Sequence, residues 1–349
     1  MRLRHTGCGT RLAPLVVLAL ASEAVGTLSG CKIKEELGTP VEGQAIPTQN
    51  SAVGQLRRPT AAALSADGTT LYALAQDATA GTQGGYALYS GPVGGPTTQV
   101  ATMPGLTYPV ALAVSRTGTQ LVIADLGDIG TGGAAGAIYR GTPSGTLSPL
   151  TTTGPAYPTA LALSADGLDV YVTGTDPDPQ NASPGVWRIP LSGGAPVTVY
   201  KGTPLVQPAG VTTASDGSLY VADTRAAPSG QGAVFRIVGD RIFQISKSGL
   251  RFNFPTGLAP AGRNTPDVLL ATARSVGNEP WLYRLSPSGA QTAVTLPELP
   301  VPITEATSIQ RAAAADVWIA VDAVVPASGA TPDPQQLDDP AGQLVQLIP

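Results

Sequence analysis

A frame that recurs about every fifty residues from Pro59 onward constrains this chain more than any other feature. Each unit reads Pro, a run of small apolar residues, a tight turn, a second apolar run, a Gly-rich loop, and a third run bearing an aromatic residue. The first unit begins PTAAALSADGTTLYALAQD, the second PVALAVSRTGTQLVIADLGD, the third PTALALSADGLDVYVTGTD and the fourth PAGVTTASDGSLYVADTR. The fifth begins PTGLAPAG and replaces the tight turn with Arg263-Asn264-Thr265-Pro266-Asp267. The sixth is the most degenerate; it starts near Ile303, carries ADVWIAVDAV and ends GQLVQLIP. Asp-Gly and Ser-Gly dipeptides between apolar runs are hairpin signals, so each unit predicts four short antiparallel strands.

A lone four-stranded sheet cannot cover both of its apolar faces, and radial packing against two neighbours solves that problem. The expected fold is all-β, a six-bladed β-propeller. A helical repeat is disfavoured because Gly and Pro, at 42 and 33 residues, interrupt every apolar run before a 3.6-residue period can establish itself. A β-sandwich would not explain the constant phase of the Pro and Asp-Gly positions. The sixth unit stops after a third strand, Leu344 to Leu347. An N-terminal strand closing the last blade, around Gln44 to Ile46, is therefore expected.

The ends of the strands sort the loops onto two faces. Turns between first and second strands, with Gly68, Gly118, Gly167 and Gly217, lie on a hairpin face. Loops before first strands and after second strands lie on the opposite loop face. The loop face receives Asp125, Asp176, Asp223, Arg225, Tyr108, Tyr157 and Asn253, which form the candidate binding face. Carboxylates at several strand ends would line the channel mouth, where oxygen ligands suit Ca2+ or another divalent cation. Asp223 and Asn253 are the candidate metal pair. The competing expectation is that these carboxylates bond loop N–H groups. No other cofactor is indicated.

The phrase Gly217-Ser218-Leu219-Tyr220-Val221-Ala222-Asp223 resembles the blades of six-bladed propellers of the NHL, SMP-30/gluconolactonase and TolB-like group, with weaker versions at Leu71-Tyr72-Ala73-Leu74 and Leu121-Val122-Ile123-Ala124-Asp125. The resemblance spans residues 56–349. It implies the propeller architecture and leaves activity open, because such blades serve enzymes and scaffolds alike. The lactonases of this group hold a divalent metal with Glu, Asn and Asp near the channel. Here the first strand Thr60-Ala61-Ala62-Ala63-Leu64 offers no Glu, so the metal pattern is incomplete.

The N-terminus reads differently. Arg2, Arg4 and Arg11 precede an apolar stretch from Leu12 to Leu20, and small residues lead to Leu28-Ser29-Gly30-Cys31. This is the three-part form of a signal peptide. Its ending resembles the bacterial lipobox, which implies a lipidated Cys31 as the first mature residue; an ordinary secretory signal or a membrane anchor are the alternatives. The expected organisation is a lipoprotein signal over 1–30, a lipid-attached tether with the candidate closing strand over 31–55, and the propeller over 56–349. Lys32, in place of an Asp, favours by the same resemblance an outer-membrane location facing periplasm or surface.

Processing at Cys31 removes His5 and Cys8 and leaves a chain without histidine or free thiol. Ser-His-Asp and Cys-His catalysis and His-ligated metal sites are then excluded. No Walker loop or nucleophile elbow occurs in the required setting. A net charge of -4 with sparse charged residues argues against nucleic acid as a partner. The resulting expectation is a lipid-anchored envelope protein that binds a peptide, a glycan or an envelope protein without assignable catalysis; the alternative is a divalent-metal-dependent hydrolase or lactonase at the channel mouth. Palmitate fed to expressing bacteria should label the wild-type chain, and Cys31→Ala should abolish that labelling on a fluorogram.

Overall fold

Each repeat forms its own open, antiparallel, four-stranded sheet. The structure, a computed structural model, describes residues 42–46, 49–50, 54–77, 85–128, 135–178, 180, 182–214, 216–246, 249–262, 267–274, 280–296, 303, 305–323 and 342–348. The signal segment 1–30 and Cys31 lie outside the described residues. From the centre outward, the first blade is Arg57–Leu64, Thr70–Gln76, Tyr86–Pro92 and Thr98–Met103. The second is Pro109–Val114, Leu121–Gly127, Ala135–Gly141 and Leu147–Pro149, and the third Ala156–Leu163, Asp169–Thr175, Pro184–Pro190 and Val197–Lys201. The fourth is Pro208–Thr213, Leu219–Asp223, Ala233–Val238 and Arg241–Gln244, and the fifth Leu258–Pro260, Leu269–Thr272, Leu282–Leu285 and Gln291–Ala293. The sixth is Ala306–Arg311, Trp318–Ala323 and Gly342–Ile348, with Glu42–Ile46 paired outside them. A two-stranded pair, Gln49–Asn50 with Gly54–Gln55, precedes the first blade.

Period-2 alternation lets one strand serve two interfaces. In the first blade Leu71, Ala73 and Ala75 face the sixth blade, where they meet Ile319, Val321 and Leu344, whereas Leu74 faces the second and meets Leu112 and Ile123. The same arrangement recurs between every pair of neighbours, giving an apolar cluster at each blade interface. The third-strand aromatics Tyr89, Trp187 and Phe235 are buried. The inner strands lie against one another in a ring, the sixth against the first.

The expectation of a closing N-terminal strand is corrected here. Among the described residues no sheet is closed: each blade keeps two edges, and beyond an isolated bridge of Arg274 with Glu305 no strand pairs with a strand of the next blade. Glu42–Ile46 pairs antiparallel with Gly342–Ile348, from Glu42 opposite Ile348 to Ile46 opposite Leu344, and forms the outer edge of an open sheet. The ring is shut by side-chain packing of Leu344, Ile319 and Val321 on Leu56, Leu71 and Tyr89. Packing does this because the faces of a twisted sheet, not its edge, carry the apolar area.

The recurrent Pro has a structural reason. Pro59, Pro109, Pro158 and Pro208 sit where each inner strand departs from register with its second strand, and a residue without an N–H is tolerated there. The registers also reveal an alternation. Asp125, Asp223 and Asp322 stand at or near the loop-face end of the second strands of the even blades. The same position holds Ala75, Gly174 and Ala273 in the odd blades. Asp125 accepts the N–H groups of Thr107 at 2.6 Å, Tyr108 at 2.8 Å and Gly127 at 2.9 Å. Asp223 accepts those of Val206 at 2.7 Å, Gln207 at 2.8 Å and Arg225 at 2.9 Å. Asp322 accepts Glu305 N–H at 2.7 Å. Each carboxylate thus ties the loop that leads into its own blade. Where the clamp is missing, in the first and third blades, Arg58 and Tyr157 adopt φ of 45° and 50°, in the left-handed region that costs a non-glycine residue about 1–2 kcal/mol.

On the hairpin face, Asp67, Asp166 and Asp216 fold back on their own turns. Ser65, Ser164 and Ser218 hydroxyls donate to them, each at 2.6 Å, and the N–H groups of Thr69, Leu168 and Ser218 follow. Gly217, at φ 81° in open space, supplies the left-handed corner of the fourth-blade turn. Those hydroxyls, and then the N–H groups, hold the three carboxyls below their ordinary value of 3.8. A depressed carboxyl stabilises the fold above 3.8, and that contribution is lost as pH falls through its lower folded value. Replacing all three by Asn should flatten the loss of stability below pH 3.8, measured by urea denaturation across a pH series. Asp223→Ala, which strands three N–H groups, should cost about 2–4 kcal/mol in the same assay, and Asp223→Asn less.

Candidate functional site

The inner strands enclose a central channel of about 410 Å3. Its wall combines small and apolar residues such as Ala62, Val110 and Val211 with hydroxyl and amide side chains such as Thr159, Thr213 and Gln310, and Arg116 and Arg311 are the charged residues in it. At the hairpin face the rim is Ala66, Arg116, Ala165, Ala214, Gly262 and Ala313. Inner-strand edges leave carbonyls without a ladder partner, and side chains of other blades reach them. Thr159 Oγ1 donates to Pro208 O at 2.7 Å, Thr213 Oγ1 to Leu163 O at 3.1 Å and Asn253 Nδ2 to Ala306 O at 3.3 Å, while Gln310 Nε2 reaches Leu112 O.

At the loop face the residue at the entry to each inner-strand segment, one step before the recurrent Pro, occupies one equivalent position. These residues are Arg58, Tyr108, Tyr157, Gln207, Phe254 and Glu305, each followed by a Pro except Glu305, which precedes Ala306. Phe254 of the fifth blade packs on the cluster of the second and third blades that also receives Tyr108, which places both at the channel mouth. Burial pushes the Tyr108 phenol up, and the Glu305 carboxylate of the sixth blade adds to it. Tyr86 is pushed up by burial, then by Tyr108 and Asp125, against an opposing effect of Arg58. Arg58, Tyr86, Tyr108 and Glu305 therefore share one neighbourhood, drawn from the first, second and sixth blades. Tyr157 stands 38% exposed on the same rim.

The residues singled out from sequence fall into separate groups. Tyr108 and Tyr157 belong to the rim. Asp125 and Asp223, at 2% and 0% exposure, lie beneath it as loop clamps. Asp176 lies beyond the end of its strand and holds Lys201 Nζ at 2.6 Å and the N–H of Asp178 at 2.9 Å; the Lys201 bond first, then the N–H, lowers its carboxyl. Arg225 is exposed and gives its backbone N–H to Asp223. Asn253 is buried and bonds the start of the sixth inner strand. Burial pushes the Asp223 carboxyl up, against the lowering effect of its N–H donors.

Asp223 does not present a free carboxylate to a cation, since both of its oxygens accept from N–H donors, while Asn253 ties its side chain to the Ala306 carbonyl through its amide N–H. Among the described residues, no group of three or more His, Cys, Asp or Glu side chains is placed to hold a metal ion. Arg58, Gln207 and Phe254 went unnoticed in the sequence, although a positional signal marks them: each stands immediately before the Pro of its repeat.

No family model matches the chain, and no curated protein matches it. Solved structures do. A gluconolactonase from Xanthomonas campestris superposes with a TM-score of 0.57 at 15% identity, over 88% of this chain and 89% of that one. A chain of the nidogen/laminin complex gives 0.52 at 14% identity, over 68% and 80%. A chain of Kuenenia stuttgartiensis hydrazine synthase gives 0.51 at 13% identity, over 75% and 80%. At such identities the likeness is one of fold, and the fold is a six-bladed β-propeller.

Proposed function

We propose that this protein is a lipid-anchored binding protein of the bacterial cell envelope, with the loop-face rim of its propeller as the ligand surface and a glycan as the ligand. The observation that carries this reading is the rim itself. Arg58, Tyr108, Tyr157, Gln207, Phe254 and Glu305 occupy one equivalent position in the six repeats. Three are aromatic, and three carry planar groups rich in donors or acceptors. Aromatic faces suit the C–H faces of a sugar ring, and guanidinium, amide and carboxylate groups suit paired hydroxyls. The left-handed backbone at Arg58 and Tyr157 supports the same reading, since strain held at a rim accompanies binding sites more often than scaffolding. The lipid anchor rests on Leu28-Ser29-Gly30-Cys31. Among the described residues, no helix is long and apolar enough to cross a membrane.

The fold shared with the Xanthomonas gluconolactonase supplies the competing reading of a metal-dependent hydrolase. The bonds of Asp223 and Asn253 weigh against it here. Binding of the full chain to immobilised envelope oligosaccharides tests the proposal. Tyr157→Ala and Arg58→Ala should each weaken capture by about tenfold, equivalent to about 1.4 kcal/mol, with unchanged denaturation midpoints. Capture indifferent to both substitutions, or abolished by chelator, would overturn it.

A further inference from the structure

We infer that the hairpin face is the face the propeller turns to the lipid surface, so that the loop-face rim points away from the membrane. The inference rests on the anchor at Cys31 proposed above and on the polarity of one strand. In the sixth blade Ala306–Arg311 runs from the loop face to the hairpin face, Trp318–Ala323 returns, and Gly342–Ile348 runs outward again, ending at the hairpin face. Glu42 lies opposite Ile348. The chain that arrives from Cys31 therefore joins the propeller at its hairpin face.

Chain length makes this polarity matter. Eleven residue steps separate Cys31 from Glu42. Fully extended they reach about 38 Å. To bring the loop face to the membrane, the same segment would have to run back along the height of a blade. That height is about 17–20 Å for strands of five or six residues, or about half the reach. With the hairpin face down, none of that reach is taken up by the height of the blade.

A second observation points the same way. Leu168, Val197 and Val238 are 68%, 49% and 44% exposed. Leu168 tops the Asp166-Gly167 hairpin, Val197 opens the outer strand of the third blade at its hairpin end, and Val238 closes the third strand of the fourth blade there. All three belong to the hairpin face, on the third and fourth blades, across the ring from the sixth blade where the anchor arrives. A lipid-modified terminus holds a domain at a single point and does not by itself set its tilt. These side chains would supply a second, apolar contact on the far side and keep the face parallel to the bilayer. On the loop face the exposed large apolar side chains among the described residues are Tyr157, on the rim, and Val206, beside it.

The mature chain simplifies the test, because its sole cysteine is the one that carries the lipid. Leu168→Cys, Val238→Cys and, on the loop face, Val206→Cys are made singly in the full chain. Each is labelled with bimane and reconstituted in phosphatidylethanolamine/phosphatidylglycerol vesicles that contain a headgroup nitroxide lipid. The nitroxide should quench at positions 168 and 238 at least about twofold more than at 206. Equal quenching at all three positions, or stronger quenching at 206, in protein that floats with the vesicles would overturn the orientation and leave the anchor standing. Protein that does not float with the vesicles would overturn both.

Discussion

The structure depends on one constraint: every blade is a four-stranded sheet with two apolar faces and nothing of its own to cover them. Leu71, Ala73 and Ala75 on one face and Leu74 on the other need different partners, and only a neighbour on each side supplies both. The last blade must then pack on the first, or two apolar faces stay in water. That requirement makes the ring, and the ring makes the channel. The open edges of the sheets are of secondary importance, which is why closure is achieved by Leu344, Ile319 and Val321 rather than by a strand.

The ring also explains where the polar residues go. Inner strands present an edge to the channel, and Thr159, Thr213, Asn253 and Gln310 bond carbonyls of other blades there. Loops that lead into the blades carry N–H groups that no ladder satisfies. In the even blades Asp125, Asp223 and Asp322 meet that need. In the odd blades a small residue takes the position, and in two of them the backbone turns left-handed instead. The carboxylates that seem, in sequence, to gather at a mouth are therefore absorbed by the backbone. The side chains proposed for recognition are those one step before the recurrent Pro, or before Ala306 in the sixth blade.

Much of the fold was legible because it is periodic. Pro at the start of the inner strand is tolerated by a recurrent register shift, Asp-Gly at the hairpin is favoured by the turn, and the aromatic in the third strand is favoured by packing between blades, so they recur in phase. The fifth blade was harder to read, because Arg263-Asn264-Thr265-Pro266-Asp267 replaces the tight turn. The role of Asp223 was not legible, since the same residue at the same strand end could face a cation or three N–H groups. Arg58 and Phe254 escaped notice because neither residue type recurs at their position.

By itself, the sequence determined the number of blades, the phase of their strands, the two faces and the exclusion of histidine chemistry from a chain processed at Cys31. These follow from covalent order and from local propensities that repeat. Only the tertiary structure decided that the strand-end aspartates clamp loops, that the channel wall is nearly uncharged, and that Glu42 begins its strand at the hairpin face. Each of these depends on which atoms from distant repeats meet, and a periodic sequence is silent on that because every repeat offers the same local choices.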